Sequence, residues 1–308
     1  MSAPVTIARP IDAESPGRRV WRRFLRHRLA VASAVFLAVL GLVALAAPLS
    51  EALLGVDANR VDLLGRLAGP SAAHPLGTDE LGRDLFVRLS YGGQVSMAVA
   101  LAAAVFSAVL GTLIGLVAGY AGGRTDAFLM RFTDGVISLP LLPLLIVLVA
   151  IDLSKIGIPA EWLQSQKIAL YQIILVIALF GWTTVARLVR AETLALKNRQ
   201  FVLAAVALGA SAPRIILRHI LPNAISPIIV ATTLSVGNII LLESILSFLG
   251  LGIQPPIASW GNMLTNAQEL MWTAPALAVW PGLMIFLTVI AFNFLGDGLQ
   301  DALDPRAL

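Results

Sequence analysis

The sequence predicts an all-α membrane protein with six transmembrane helices, and three observations support this fold class. Hydrophobic residues make up 58% of the 308 residues and charged residues only 13%, which is too little polar surface for a water-soluble domain. Several apolar segments are long enough to cross a hydrocarbon core of about 30 Å. Arginine residues concentrate in alternate connecting segments, as the positive-inside rule expects of a chain that crosses a membrane repeatedly.

Charge and cysteine content exclude several classes of protein. The formal net charge is +4, from 19 arginines and 3 lysines against 18 acidic residues. Because these cations lie in short loops between apolar segments, we expect membrane lipid around the chain and no nucleic-acid partner. The chain has no cysteine, which excludes disulfides, cysteine nucleophiles and thiolate metal sites. No other spacing matches a metal-site pattern, so no metal site is expected.

The N-terminal region is predicted to be a basic cytoplasmic segment, residues 1–28, followed by the first transmembrane helix, residues 29–47. Residues 1–17 mix proline, glycine and small polar residues and are expected to be disordered. Six arginines precede the first span, namely Arg18, Arg19, Arg22, Arg23, Arg26 and Arg28. The apolar run is too long for a cleaved signal peptide, so the sequence favours a retained helix with its N-terminus inside.

An extracytoplasmic loop with an amphipathic helix is predicted for residues 48–90. Leu81, Leu85 and Leu89 recur every four residues, which favours a helix that lies on the membrane surface with these leucines on one face. Thr78 precedes this helix and is the predicted N-cap.

A core of five further transmembrane helices is predicted for residues 91–296. The second span lies within residues 95–120, where Gly111, Gly115 and Gly119 repeat every four residues. This spacing lets two helices approach closely in lipid, either within the chain or against a partner.

The remaining predicted segments alternate between loops and spans. They are an inside loop at 121–126, span three at about 127–151 with kinks at Pro140 and Pro143, an outside loop at 152–167, span four at 168–186, span five at 224–242, an outside segment at 243–271, span six at 272–295 and a cytoplasmic tail at 297–308.

The segment at residues 197–223, here named the coupling segment, is too charged to cross a membrane. Residues 201–208 predict a short helix that ends in a turn at Gly209, and Ser211 is the predicted cap of a second helix. In that helix Arg214 and Arg218 form a basic edge, and Leu221–Pro222 is predicted to end it. Its isoleucines Ile215, Ile216 and Ile220 form an apolar face.

The coupling segment resembles the cytoplasmic loop of ATP-binding-cassette (ABC) import permeases. That family's signature is Glu-Ala-Ala, three residues, Gly, nine residues, Ile, one residue and Leu-Pro. The matching residues are Ala204, Ala205, Gly209, Leu221 and Pro222, whereas Leu203 replaces the Glu and His219 replaces the Ile. Residues 218–223, and three further stretches at 74–84, 243–264 and 293–306, resemble the dipeptide, oligopeptide and nickel branch of the family.

The resemblance implies a type I ABC importer permease in a bacterial inner membrane, with both termini cytoplasmic. It also implies a heterodimer with a related permease, two cytoplasmic ATPase subunits and an extracytoplasmic solute-binding protein. The sequence has no phosphate-binding loop, so ATP and Mg²⁺ are expected on partner subunits and no cofactor or enzymatic activity on this chain. The residues expected to couple it to the ATPases are Leu203, Ala204, Ala205, Gly209, Ser211, Arg214, Ile215, Arg218, His219, Leu221 and Pro222.

Docking to the ATPase is expected to rest on burial of Ile215, Ile216 and Ile220, since a buried isoleucine contributes about 1.5–3 kcal/mol whereas an exposed ion pair contributes about 0–1 kcal/mol. The turn at Gly209 and contacts from Arg214 and Arg218 are expected to contribute as well. For the same reason, replacement of Leu203 by Glu is expected to change little. At the outer end of the translocation path, the residues expected to take part in cargo passage are Glu243, Trp260, Asn262 and Asn266.

Two other classes of protein remain as alternatives. An intramembrane enzyme finds little support, because the three histidines form no metal-protease motif and no span combines serine with histidine. An ion-coupled secondary transporter would place ionisable groups near the middle of the membrane, and these spans have almost none. Within the importer reading, peptides are the favoured cargo, and nickel chelates, glutathione and opines remain open.

Overall fold

The structure is a computed structural model that describes residues 15–151, 155 and 168–304. The predicted outside loop at 152–167 lies almost wholly outside the described residues, as do residues 1–14 of the N-terminal segment and 305–308 of the tail. The described residues form no β-strand, only an isolated bridge between Thr78 and Asp84. The predicted all-α fold class is therefore confirmed.

Twelve α-helices follow one another in the described part of the chain. They are α1 (Pro16–Arg26), α2 (Arg28–Leu45), α3 (Ala47–Leu54), α4 (Leu85–Ala121), α5 (Gly123–Ser138), α6 (Leu141–Val149), α7 (Ile168–Leu196), α8 (Gln200–Ala207), α9 (Ala212–Ile215), α10 (Leu221–Phe248), α11 (Ala267–Leu270) and α12 (Ala276–Leu303). Short 3₁₀ turns lie at Leu63–Gly65 and Asn262–Leu264.

Five of the described helical segments are long and apolar enough to cross a membrane, or six if the bent pair α5 and α6 forms one span. The two helices of that pair meet at 85°, where Pro140 follows the extended residue Leu139. A proline removes a backbone donor and disfavours helix at the residue before it, so the predicted kink of span three is a break between two helices. The predicted inside loop at 121–126 shrinks to Gly122, which alone separates α4 from α5.

The predicted surface helix around residues 81–89 does not exist as a separate element. The helix begins at Leu85 and continues without interruption as span two. Its N-cap is Asp84, whose carboxylate accepts the backbone N–H of Val87 at 2.8 Å. Thr78 is not the cap, because its hydroxyl bonds to the carbonyl of Gly65 instead.

Charged residues in this region are buried rather than directed to water. The Nε of Arg83 lies 2.7 Å from Oδ2 of Asp79, and the Nε of Arg88 lies 3.5 Å from the same oxygen. Arg88 also donates to the carbonyl of Ala58 at 3.2 Å. Because these groups satisfy one another, the N-terminal turn of α4 needs no polar face toward water, which is why the leucine spacing misled the prediction.

The glycine repeat of α4 packs against α7, which confirms the predicted close helix approach and places it within the chain. A Cβ atom at Gly111 would lie 2.5 Å from the carbonyl oxygen of Trp182, and one at Gly115 would lie 2.6 Å from that of Ala186. Helices α2, α10 and α12 complete the bundle around a core that includes Val99, Ala103, Ile177, Ile240 and Phe292.

Several helices extend beyond the predicted ends. The basic segment is helical from Pro16, so residues 16 and 17 are not disordered. Helix α7 continues ten residues beyond the predicted end of span four, to Leu196, and α12 reaches Leu303 within the predicted tail. Arginine and glutamate are good helix formers, so the charged residues past the apolar run of α7 prolong that helix instead of ending it.

Candidate functional site

The coupling segment begins where α7 leaves the bundle. The ammonium group of Lys197 donates to the carbonyl of Gly119, the last glycine of the repeat, at 3.2 Å. Arg199 then adopts an extended conformation and serves as the N-cap residue of α8. The first helix of the segment is therefore held against the end of the tightly packed α4–α7 pair.

Gly209 forms the turn after α8 as the sequence predicts. Its φ angle is +79°, and its N–H donates to the carbonyl of Val206 at 2.9 Å while the N–H of Ala210 donates to that of Ala205 at 3.0 Å. These two hydrogen bonds form a Schellman motif, in which a glycine at this place avoids the strain of a left-handed backbone. A Cβ atom here would meet nothing within 4 Å, so the requirement for glycine comes from the backbone and not from lack of space.

The second helix starts at the predicted place but does not end at Leu221–Pro222. Ser211 is the N-cap residue, although its hydroxyl makes no capping hydrogen bond. Helix α9 passes through a π-helical turn, Ile216–Ile220, directly into α10, so that Ala212–Phe248 is one helical segment. In this turn the N–H of Leu221 donates to the carbonyl of Ile216. The prediction of a break was wrong, because the chain stays helical through the π-helical turn and past Pro222.

Two of the three isoleucines expected to contact the ATPase lie in this chain's own core. Ile215 and Ile220 are buried with Val202 of α8, in a cluster that also contains Leu116, Val185 and Val189. Ile216 is half-buried and packs against the same cluster. The expected docking role of Ile215 and Ile220 is therefore wrong, since a side chain that is already buried has no apolar surface left for a partner.

The opposite side of the coupling segment is apolar and exposed. It consists of Phe201, Leu203, Val206, Leu208 and Leu217, with Leu203 53% and Leu208 88% exposed. Ala204, Arg214 and Arg218 are exposed as well, whereas Ala205 faces the core. His219 is half-buried, with its ring 6.5 Å from that of Phe201, and its carbonyl accepts the amide of Asn223 at 2.7 Å. The segment thus presents an apolar surface with a basic edge, which we name the docking face.

Two ion pairs that the sequence did not indicate join α7 to α5 near the coupling segment. Arg190 donates two hydrogen bonds to Asp126, from Nε to Oδ1 at 2.5 Å and from Nη2 to Oδ2 at 2.6 Å. Arg187 contacts Asp134 through Nη2 at 2.5 Å. The partners are 64 and 53 residues apart in sequence, and no local pattern connects them.

At the other end of α10, the side chain of Glu243 is fully buried. Its carboxylate accepts the hydroxyls of Ser96 at 2.9 Å and of Ser247 at 2.8 Å. Trp260 is also fully buried, and its indole N–H donates to the carbonyl of Leu89 at 3.0 Å. These residues join α4 and α10 to the loop that follows α10, so they hold this end of the bundle together.

Asn262 and Asn266 have different surroundings. The amide of Asn262 donates to the carbonyls of Ile253 and Ile257, at 3.1 and 2.7 Å, which fixes the conformation of the loop. Asn266 is exposed, has a φ angle of +66° and lines a cleft together with Arg83 and Arg88. Of the four residues expected in cargo passage, Asn266 alone is exposed, and the role of the set stays a prediction.

The arrangement of the coupling segment suits mechanical transmission and not chemistry. The docking face points away from the bundle, the buried isoleucines fasten it to α4 and α7, and α9 is continuous with a helix that spans the bundle. Among the residues that the structure describes, no group of three or more histidine, cysteine, aspartate or glutamate side chains is placed to hold a metal ion.

Two family matches cover most of the chain. Residues 111–308 match the family described as "Binding-protein-dependent transport system inner membrane component". Residues 15–53 match the family described as "N-terminal TM domain of oligopeptide transport permease C".

Curated relatives are similar over nearly their full length. The chain is 40% identical to the glutathione transport system permease protein GsiD of Pectobacterium atrosepticum over 307 residues, which is 99% of this chain and 96% of the relative. It is 42% identical to proteins of the same name from Escherichia coli and Shigella boydii over 301 residues, which is 97% of this chain and 94% of each relative.

Proposed function

Because the chain belongs to the family of binding-protein-dependent transport system inner membrane components, it is a multi-pass permease subunit of an ABC importer, and we propose that its docking face couples it to an ATPase. The observation that supports this role is the exposed apolar surface of α8 and its turn, backed by buried Ile215 and Ile220. The chain is a transport protein and not an enzyme. ATP and Mg²⁺ bind to the partner subunits in this proposal.

Coupling proceeds by rigid-body movement. When two ATPase subunits close on ATP, each docking face is displaced with the surface on which it sits. The displacement passes to α4 and α7 through the buried isoleucine cluster, and to α10 through the continuous helix Ala212–Phe248. Packed cores of this kind switch between discrete arrangements, so the path opens alternately to the inside and the outside.

The proposed assembly contains four further components. A homologous permease forms the other half of the translocation path, two ATPase subunits supply the energy and a solute-binding protein delivers the cargo. Both termini and the coupling segment lie on the cytoplasmic side. This orientation is supported by arginines in residues 18–28 and by Arg187, Arg190, Arg199, Arg214 and Arg218 near the coupling segment.

The proposed cargo is glutathione or a similarly short peptide. The similarity to three GsiD proteins supports this choice, and glutathione itself is a tripeptide with one unusual linkage. Nickel chelates and opines stay as less favoured cargoes, since neither is in the names of the relatives.

Uptake by the reconstituted transporter tests the proposal. The permease pair and ATPases are placed in vesicles with ATP inside, and the binding protein is added outside with labelled glutathione. We expect uptake that requires ATP and binding protein and persists when ionophores collapse the ion gradients. Uptake that needs an ion gradient and no ATP would show a secondary transporter. ATP-driven uptake of dipeptides without glutathione would exclude glutathione and leave short peptides as the cargo class.

A further inference from the structure

Helix α1 is strongly basic on one side. At 3.6 residues a turn, its five arginines occupy an arc of about 140° around the helix. They are Arg18, Arg19, Arg22, Arg23 and Arg26. Arg23 donates to the carbonyl of Asp304 at 3.0 Å, while Arg18, Arg19 and Arg26 have exposed side chains. Arg18, Arg19 and Arg26 thus present guanidinium groups to the exposed side of a short helix.

The remaining circumference of α1 is apolar and divides into a packed and an open half. Phe24 is buried against Ala30 and Ala302, and Val20 packs beside it. Trp21 and Leu25, one turn apart, are exposed, and the Trp21 ring lies 6.0 Å from that of Phe24. The contact of Phe24 with α2 and α12 fixes α1 in place, so that Trp21 and Leu25 project beside the bundle.

The chain continues from α1 directly into the first transmembrane helix. His27 alone separates α1 from α2, and its ring nitrogen Nδ1 accepts the N–H of Ala30 at 3.1 Å. Beyond it, α2 exposes Leu29, Val35, Val39 and Leu42 along its length. A surface that is apolar along a span and ends in tryptophan and several arginines matches a bilayer, in which tryptophan lies at headgroup depth and cations lie among phosphates.

We propose that α1 lies in the membrane interface and binds the headgroups of anionic phospholipids through Arg18, Arg19 and Arg26, with Trp21 and Leu25 inserted at the boundary of the acyl chains. Charge complementarity favours this occupant, because a dense group of arginines beside an apolar span attracts anionic lipid electrostatically. Guanidinium groups also bind phosphate with two parallel hydrogen bonds. Lipid composition would then affect how firmly the N-terminal helix is seated against α12.

Fluorescence quenching by brominated lipids tests this site in the purified full-length protein with its co-purifying subunits. Since the chain has no cysteine, Leu25→Cys gives this subunit a single site for a bimane probe. The partner subunits are cysteine-free variants, so that the probe reacts only at position 25. The protein is reconstituted in phosphatidylcholine and phosphatidylglycerol vesicles of constant composition, in which either one lipid or the other carries bromine at the same mole fraction. Lipid is symmetric between leaflets, so the result does not depend on the orientation of the chain.

We expect brominated phosphatidylglycerol to quench the probe roughly twofold or more above brominated phosphatidylcholine. The preference should disappear in Arg18→Gln/Arg19→Gln/Arg26→Gln, which keeps Arg23 and its contact with Asp304. Arg60→Gln/Arg66→Gln, which removes two exposed charges from the loop after α3, should keep it. Equal quenching by the two lipids in the Leu25→Cys protein that retains all its arginines would overturn the proposal. So would absence of quenching by either lipid, which would show that another protein covers α1.

Discussion

Leu208 and Ile215 are both apolar residues of the coupling segment, but Leu208 is 88% exposed and Ile215 only 1%. Their substitutions should therefore have opposite consequences. Ile215→Ala should lower the free energy of unfolding by about 2–5 kcal/mol, because it leaves a cavity in the cluster with Val202 and Ile220. Leu208→Ser should leave stability nearly unchanged and lower cargo-stimulated ATP hydrolysis, because it removes apolar area from the docking face.

Thermal unfolding in detergent and ATPase rates of the assembled complex measure the two effects separately. A Leu208→Ser variant that couples like the wild type would show that the tip of the docking face contacts nothing. A stable Ile215→Ala variant would contradict the assigned core position.

Two substitutions of Glu243 separate a role in packing from the expected role in cargo passage. Glu243→Leu should lower the free energy of unfolding by about 1–3 kcal/mol, because it removes the acceptor of the Ser96 and Ser247 hydroxyls. Glu243→Gln retains an acceptor oxygen and should fold and transport almost normally. If Gln abolished uptake at unchanged stability and assembly, the carboxylate would belong to the path and not to the packing of the outer loop.

The helix pair α4 and α7 should depend on its small residues. Gly115→Leu should destabilise the bundle severely, because even a Cβ there would lie 2.6 Å from the backbone oxygen of Ala186, and a backbone atom cannot move aside as a side chain can. Gly41→Leu in α2 is the control, since a Cβ at Gly41 meets nothing within 4 Å. Similar unfolding temperatures for the two variants would refute the close approach of α4 and α7.

The transmembrane helices were largely predictable from sequence, because an apolar run of sufficient length is expected to cross the bilayer as a helix. The glycine repeat, the turn at Gly209 and the break near Pro140 were likewise visible, since each depends on a local requirement of backbone or close packing. Helix ends were not predictable, because the arginine-rich end of α7 and the proline at 222 each permit helix in their actual surroundings.

The sequence also did not predict which side of the coupling segment faces the core. Both Ile215 and Leu217 are apolar and two residues apart, yet one is buried and the other exposed. The choice depends on contacts with Leu116 and Val189, which are distant in sequence. The ion pair between Arg190 and Asp126 and the burial of Glu243 have the same long-range origin.

At the scale of the whole molecule, the orientation of the chain follows from where its arginines lie. Ser211 is exposed at the start of α9 and should be on the cytoplasmic side. In intact cells or sealed right-side-out vesicles, a cysteine introduced as Ser211→Cys should therefore resist a membrane-impermeant thiol reagent and react after permeabilisation. A cysteine in place of Ala72, in the exposed loop after α3, should react without permeabilisation. Labelling of the Ser211→Cys variant from outside would invert the proposed topology.

In the proposed transporter, the turn at Gly209 holds the docking face in the geometry that passes movement of the ATPase subunits to the bundle. The most direct test is the cargo-stimulated ATPase rate of the assembled complex containing Gly209→Val or Gly209→Asn. Gly209 has a φ angle of +79° and open space around its missing Cβ, so the two variants differ mainly in how well they tolerate the left-handed backbone, which asparagine adopts far more readily than valine. We predict that stimulation falls to near the basal rate in Gly209→Val and is mostly kept in Gly209→Asn, with both complexes fully assembled. Wild-type stimulation in Gly209→Val would contradict the account.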